Sequence, residues 1–395
     1  MRKALVLPGA GARGAYQVGV LKAIATLLPR GARNPFHIIS GTSAGAINAA
    51  VLAGRAANFE HAIADMEHVW ANFSADQVYR SDNLTMLKSS LHWLAAVVFG
   101  GLGVGNPESL LDNTPLRALL KRDVRFGGIE RAIQRGHLDA LAITASGYTS
   151  ARSVTFFQAR PGAVQPWSRV RRVGVPTRIT LEHLMASSAV PFVFPPVQIG
   201  SEYFGDGSMR HSAPLSPAIH LGADRMLVIG TRDEKPDPVA AVGHLPERPT
   251  LGHLAGYMLD TLFMDGLLTD LERLARVNRL LGCVEPTLAR KLVGDLRPLH
   301  TVVVVPKEDM RVVAAKYANE LPFGVRLLLK GLGAMNRMGM QLVSYLLFES
   351  GFTRELIDMG YRDALAMEDA LRAFLFDEPM DTLYAPAHLQ IALEH

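Results

Sequence analysis

Phe36-His37-Ile38-Ile39-Ser40-Gly41-Thr42-Ser43-Ala44-Gly45 is an apolar, β-prone run that turns through G-x-S-x-G into a helix of small residues, Ala44 to Leu52. Such a run reads as a buried strand, and small side chains let the following helix pack close to a sheet. The same order occurs once upstream. Lys3 to Leu7 is β-prone, Pro8 to Gly14 is glycine-rich, and Ala15 to Leu28 carries Val18, Leu21, Ile24, Leu27 and Leu28 at helical spacing. Strand, turn and helix in succession, twice, predict a parallel α/β sheet.

Further along, helical patterns cover Phe59 to Asn72 and Pro115 to Lys121, with an irregular apolar region, Met86 to Asn106, between them. Leu138 to Ser146 and Ser153 to Gln158 read as strands joined by a turn. Val175 to Arg178 leads into a short helix, Leu181 to Ser187, which stops before Pro191 because proline cannot continue it. Val197 to Gly200 and Tyr203-Phe204 bracket a turn, and Arg225 to Thr231 and His300 to Val305 are buried-strand candidates. From about Asp309 onward only helical periodicity is visible and no strand, most clearly in Arg337 to Phe348, Arg354 to Met359 and Arg362 to Leu375. The expected fold is a three-layer α/β/α sandwich around a mostly parallel central sheet, plus a helical C-terminal segment. The expected organisation is a core over 4–231, a linker, helix and further strand over 232–308, and the helical segment over 309–395. The proline-rich stretch Lys235 to Thr250 is the linker candidate.

Of the 395 residues 49% are hydrophobic and 20% charged, which excludes a disordered chain. A net charge of +4 is too small a surplus to argue for nucleic acid. The single cysteine, Cys283, excludes an internal disulfide and fits a reducing, cytoplasmic setting. Met1-Arg2-Lys3 and the apolar residues after it start like a signal peptide, but Pro8 to Gly11 cut the run short, and a buried first strand is the better reading. The longest apolar stretch, Leu91 to Val104, is too short to span a bilayer. Contact with a membrane is therefore expected to be peripheral.

Local patterns that carry chemistry stand in order along the chain. Gly9-Ala10-Gly11-Ala12-Arg13-Gly14 matches the dinucleotide pattern G-x-G-x-x-G, but the second strand ends Ile38 to Thr42 without the carboxylate that holds a ribose. Gly41-Thr42-Ser43-Ala44-Gly45 sits between strand and helix, where a nucleophile elbow belongs; the plainer alternative is a helix cap. Asp206-Gly207 alone is a turn signal.

Together these residues resemble the patatin-like phospholipase family, whose pattern is a glycine-rich loop with a basic residue, then G-x-S-x-G, then Asp-Gly followed by a small residue. Leu111 to Leu116, Ala186 to Pro191 and Phe194-Pro195-Pro196 are similar to the family too, so the likeness runs from Ala4 to Thr231. Ala10 and Ser208 depart from the pattern, both remaining small. The tail, with Ser344 to Phe348 and Gly360 to Ala364, is similar to tails of some bacterial members.

The resemblance implies hydrolysis of lipid acyl esters of a phospholipase A or lysophospholipase kind, through a Ser–Asp dyad without histidine. Ser43 would be the nucleophile, flanked by Gly41 and Gly45, and Asp206, followed by Gly207 and Ser208, its general base. The loop from Gly9 through Gly11, Ala12 and Arg13 to Gly14 would supply oxyanion donors. No cofactor is implied and no metal-ligand cluster is visible. The partner would be a lipid substrate. Phe192, Phe194, Tyr203 and Phe204 are expected to desolvate Asp206 and raise its pKa. Arg13 is expected to brace its loop, with phosphate or oxyanion contact the alternative, and His211 to lie in a surface loop. Leu91 to Phe99 is a lid or interfacial candidate, otherwise a core helix. Arg160, Arg169, Arg171, Arg172 and Arg178, with Trp167, form a basic stretch for anionic headgroups or a solvated loop. A lipid-binding or regulatory protein without catalysis is the alternative function.

Overall fold

The computed structural model describes residues 1–80, 109–233, 248–285, 296–336, 339–387 and 389–390. The lid candidate Leu91 to Phe99 lies outside them, as does most of the linker stretch. The strands are β1 (Lys3–Leu7), β2 (Ile38–Thr42), β3 (Ala140–Gly147), β4 (Ser153–Ala159), β5 (Trp167–Ser168), β6 (Arg172–Pro176), β7 (Val197–Ile199), β8 (Glu202–Asp206), β9 (Arg225–Ile229), β10 (His300–Val304) and β11 (Leu383–Tyr384). They form one sheet in the order β11-β10-β9-β1-β2-β3-β4-β6-β5, with β8 on β3 and β7 on β8. From β11 to β3 every pairing is parallel, whereas β4 and β8 run antiparallel to β3.

The helices of the first half are α1 (Gly14–Leu27), α2 (Ala44–Gly54), α3 (Phe59–Ala71), α4 (Thr114–Asp123), α5 (Phe126–Gln134), α6 (Leu181–Ser187) and α7 (Ser216–His220). The second half adds α8 (Leu251–Gly282), α9 (Met310–Tyr317), α10 (Phe323–Gly331), α11 (Met340–Leu346), α12 (Ser350–Leu365) and α13 (Glu368–Leu375). The sheet is mixed but mostly parallel and flanked by helices, as the alternation of strand and helix predicts.

The expectation of no strand after Asp309 is corrected. Leu383–Tyr384 extends the parallel edge, with Thr301 opposite Leu383 and Val302 opposite Tyr384. A pair of residues is too short to show an alternating pattern, so only the register with β10 reveals it. The C-terminal helices also lie directly on the rest of the chain. α1 is buried nearly all round because α12 covers its outer face, and the Tyr16 hydroxyl donates to Asp363 at 3.1 Å. Lys3 pairs with Asp377 and donates to the Leu375 carbonyl.

Candidate active site

Strand register brings the patterns together. Leu7 lies opposite Gly41, so the loop after β1 and the turn after β2 leave the sheet side by side. Thr42 lies opposite Thr144, and Ala145 opposite Asp206, which carries the end of β8 to the same edge. Strand order reverses around β1, and the carboxyl ends of strands at such a switch point are where open α/β sheets place their sites.

Ser43 sits between β2 and α2 at φ 55° and ψ −128°, a region that costs a non-glycine residue about 1–3 kcal/mol. Its neighbour Gly45 explains how the turn packs: a Cβ there would stand 2.1 Å from the Leu7 carbonyl oxygen. Gly45→Ala is therefore expected to cost about 3 kcal/mol of stability, read as a lower Tm in thermal unfolding; an unchanged Tm would contradict this packing. Gly11 has φ +53°, and a Cβ on it would meet the Tyr345 carbonyl at 2.6 Å.

The Asp206 carboxylate is buried, and burial raises its pKa to about 6, against smaller lowering effects from the Ser43 hydroxyl and from Ser208. Oδ1 accepts the Ser208 N–H at 2.9 Å. The Ser43 hydroxyl acts on this carboxylate as a hydrogen-bond partner that lowers its pKa, although Oδ2 has no hydrogen bond of regular geometry. Such contacts are often loose in empty sites and tighten when substrate binds. Of the aromatic residues expected to bury this carboxylate, Phe194 and Phe204 are buried, but Phe192 and Tyr203 are exposed. The burial comes from the strand position itself: the Asp206 N–H donates to the Ala189 carbonyl, and the Ser146 hydroxyl donates to that of Gly207.

Neighbouring polar side chains hold the backbone of the site. The Ser43 N–H donates to Ser187 Oγ at 2.9 Å, and that hydroxyl donates to the Thr144 carbonyl at 2.7 Å. The Trp70 indole donates to Asn48, Asn48 to Gln17 and the Gly14 carbonyl, and Gln17 to the Pro8 carbonyl. Ser187 falls in the stretch Ala186 to Pro191 that carries the family likeness, whereas Gln17, Asn48 and Trp70 have no sequence signal because each acts only across elements.

In the loop itself, the Arg13 N–H donates to Ala10, and the Gly14 N–H to Gly11 and Ala12, so both are engaged within the turn. Of the loop residues expected as donors, Gly11 alone lines the cavity beside Ser43; Gly9, Ala12, Arg13 and Gly14 do not. Ala44, not anticipated, also lines it, at the start of α2, where first-turn N–H groups have no intrahelical acceptor.

Arg13 braces, and it does so toward the C-terminal segment. Its guanidinium donates to Ser344 Oγ at 2.7 Å and to the Tyr345 hydroxyl at 3.2 Å, lies 3.8 Å from Asp260, and stacks over the Tyr345 ring. His211 is bonded to neither Ser43 nor Asp206; its Nδ1 lies 3.4 Å from Ser153 Oγ, and burial holds its pKa down to about 4. It is more enclosed than a surface-loop histidine. Trp167, grouped with the basic stretch, is buried between Phe157 and His220 and is not offered to a lipid surface.

Ser43 opens onto an apolar cavity of about 290 Å³ that follows α2 through Ile47 and Val51 to Arg55, walled by Val69, Trp70, Leu120 and Phe194. Asp206 does not line it.

The model of the patatin-like phospholipase family matches residues 5–219. The chain belongs to that family. Among solved structures it is similar to VipD from Legionella pneumophila, at 12% identity and a TM-score of 0.41, over 93% of this chain and 67% of that one. No curated protein matches it in sequence. Among the described residues no helix is long and apolar enough to cross a membrane.

Proposed function

We propose that this protein hydrolyses lipid acyl esters through a serine acyl-enzyme, with Ser43 as nucleophile and Asp206 as general base. The observation that carries the reading is a strained serine beside a buried carboxylate whose Oδ2 has no regular partner, at one end of an apolar cavity. In the acylation step Ser43 Oγ bonds to the ester carbonyl carbon while its proton passes to Asp206 Oδ2. The oxyanion takes donors from the N–H groups of Gly11 and Ala44, each contributing about 3 kcal/mol when well placed. Collapse breaks the bond to the alcohol, which leaves with the proton from Asp206, and water activated by the same carboxylate releases the acid.

The cavity supports an acyl chain as occupant. The eleven residues of α2 rise by about 16 Å. An alkyl chain advances about 1.25 Å per carbon, from bonds of about 1.5 Å at tetrahedral angles. About a dozen carbons would therefore reach from Ser43 to Arg55. Transfer of each buried methylene contributes about 0.8 kcal/mol.

A fluorophosphonate probe tests the chemistry directly. The intact chain is expected to form a covalent adduct at Ser43, located by peptide mass. Only the ionised carboxyl accepts the serine proton, so labelling is expected to fall about tenfold per pH unit below about 6 and to level off above it. No adduct at Ser43 at any pH would end this reading in favour of a non-catalytic lipid-binding protein.

A further inference from the structure

A second cavity, of about 460 Å³, lies where the end of α2 meets α5. Arg55, Arg125, Arg131, Arg135, His61 and His137 line it, with Asp65 as the one carboxylate. Asp65 is already engaged by Arg55 Nε at 2.7 Å. Nearby acids are engaged elsewhere: Glu130 pairs with Arg178, and Asp123 with Arg122. Among the described residues Arg125, Arg131 and Arg135 form no ion pair, and Arg131 and Arg135 are exposed toward solvent. With Arg55 balanced by Asp65, three guanidinium groups without a counter-charge remain in one concavity and repel each other unless an anion joins them, and a cleft with such a surplus focuses its field on that anion. His137 feels that field: partial burial first, then Arg33 and Arg135, hold its pKa below the ordinary value. Arg55 is held in place, with its Nη1 donating to the Asp123 carbonyl at 2.9 Å.

We propose that this cleft binds a phosphomonoester anion at a site separate from Ser43. The guanidinium fork matches phosphate oxygens in pairs, and the two charges of a phosphomonoester answer several arginines at once, which an uncharged ligand does not. The same chemistry is offered by a soluble phosphate ester and by an anionic lipid headgroup. Arg55 and Asp65 also line the far end of the apolar cavity, so the bound anion touches the wall opposite the serine.

The test uses the full chain carrying Ser43→Ala, so that nothing is turned over and failure of the hydrolase reading cannot affect the result. One arm titrates glycerol 3-phosphate by calorimetry. The other measures co-sedimentation with phosphatidylcholine vesicles, with and without phosphatidic acid. Binding in the first arm marks a soluble ester, and binding only to vesicles with phosphatidic acid marks a headgroup; both support the site. Arg131→Gln and Arg135→Gln are each expected to weaken binding about tenfold, as loss of a charge-assisted contact does. Arg169→Gln and Arg171→Gln, exposed on the far basic stretch, are expected to bind as the parent does. No binding in either arm, or equal loss in both pairs of variants, would overturn the proposal.

Discussion

Ser43→Ala and Asp206→Asn are each expected to lower turnover of a p-nitrophenyl acyl ester by about 10⁴-fold or more, the scale on which loss of a nucleophile or its base is felt. The same Asp206→Asn substitution is expected to raise stability at neutral pH. In the unfolded chain this carboxyl titrates near 4, whereas burial in the fold holds it at about 6. A raised folded pKa means that stability is full below the unfolded value and is lost as pH rises through the folded one. Above pH 7 the ionised group thus costs the fold about 3 kcal/mol, which a neutral amide removes while its Oδ1 still accepts the Ser208 N–H. A less active but more heat-stable variant is the pattern of a site tuned for chemistry. Wild-type turnover in both purified variants would remove the proposed roles, whatever their Tm.

Arg13→Met is expected to lower stability by about 3 kcal/mol and to reduce turnover together with it, read by chemical denaturation and by ester hydrolysis. The guanidinium is almost fully buried among Ser344, Tyr345, the Thr231 carbonyl and Asp260. Breaking a buried ionic cluster from one side costs about 3–5 kcal/mol. Here the low end is expected, because Asp260 keeps Arg232 at 2.7 Å and the Tyr345 hydroxyl at 3.0 Å. Activity falls because this side chain ties the loop that carries Gly11 to Ser344 and Tyr345 of α11. Arg13→Lys keeps the charge but has a single nitrogen to divide between Ser344 and Tyr345, so an intermediate effect is expected. An Arg13→Met protein with unchanged stability and turnover would show that the brace has no consequence.

The parallel core was legible because buried strands and close-packed helices leave strong patterns: Lys3 to Leu7 and His300 to Val305 are nearly unbroken apolar runs, and Phe36 to Ser40 is β-prone with apolar residues at three of its five positions. β2 itself is shifted to Ile38–Thr42, since pairing of Ala4 with Ile38 and of Thr42 with Thr144 decides where the ladder begins and ends. α5 escaped notice because Gly127-Gly128 in its first turn look like a break; a Cβ on Gly128 would stand 2.1 Å from the Gly54 carbonyl, so α2 dictates the glycine.

Short-range chemistry alone, in residues 9–14, 41–45 and 206–208, determined the family and nominated the serine and the aspartate. Those are features of a few adjacent residues, set by backbone sterics and turn geometry. Folding alone decided what surrounds them: Ser187 on the Ser43 N–H, Ser344 and Tyr345 on Arg13, and the arginines gathered between α2 and α5. Those partners are separated by up to several hundred positions in the chain, and side-chain hydrogen bonds and charge act over a few ångströms of space, a distance that order along a sequence does not encode.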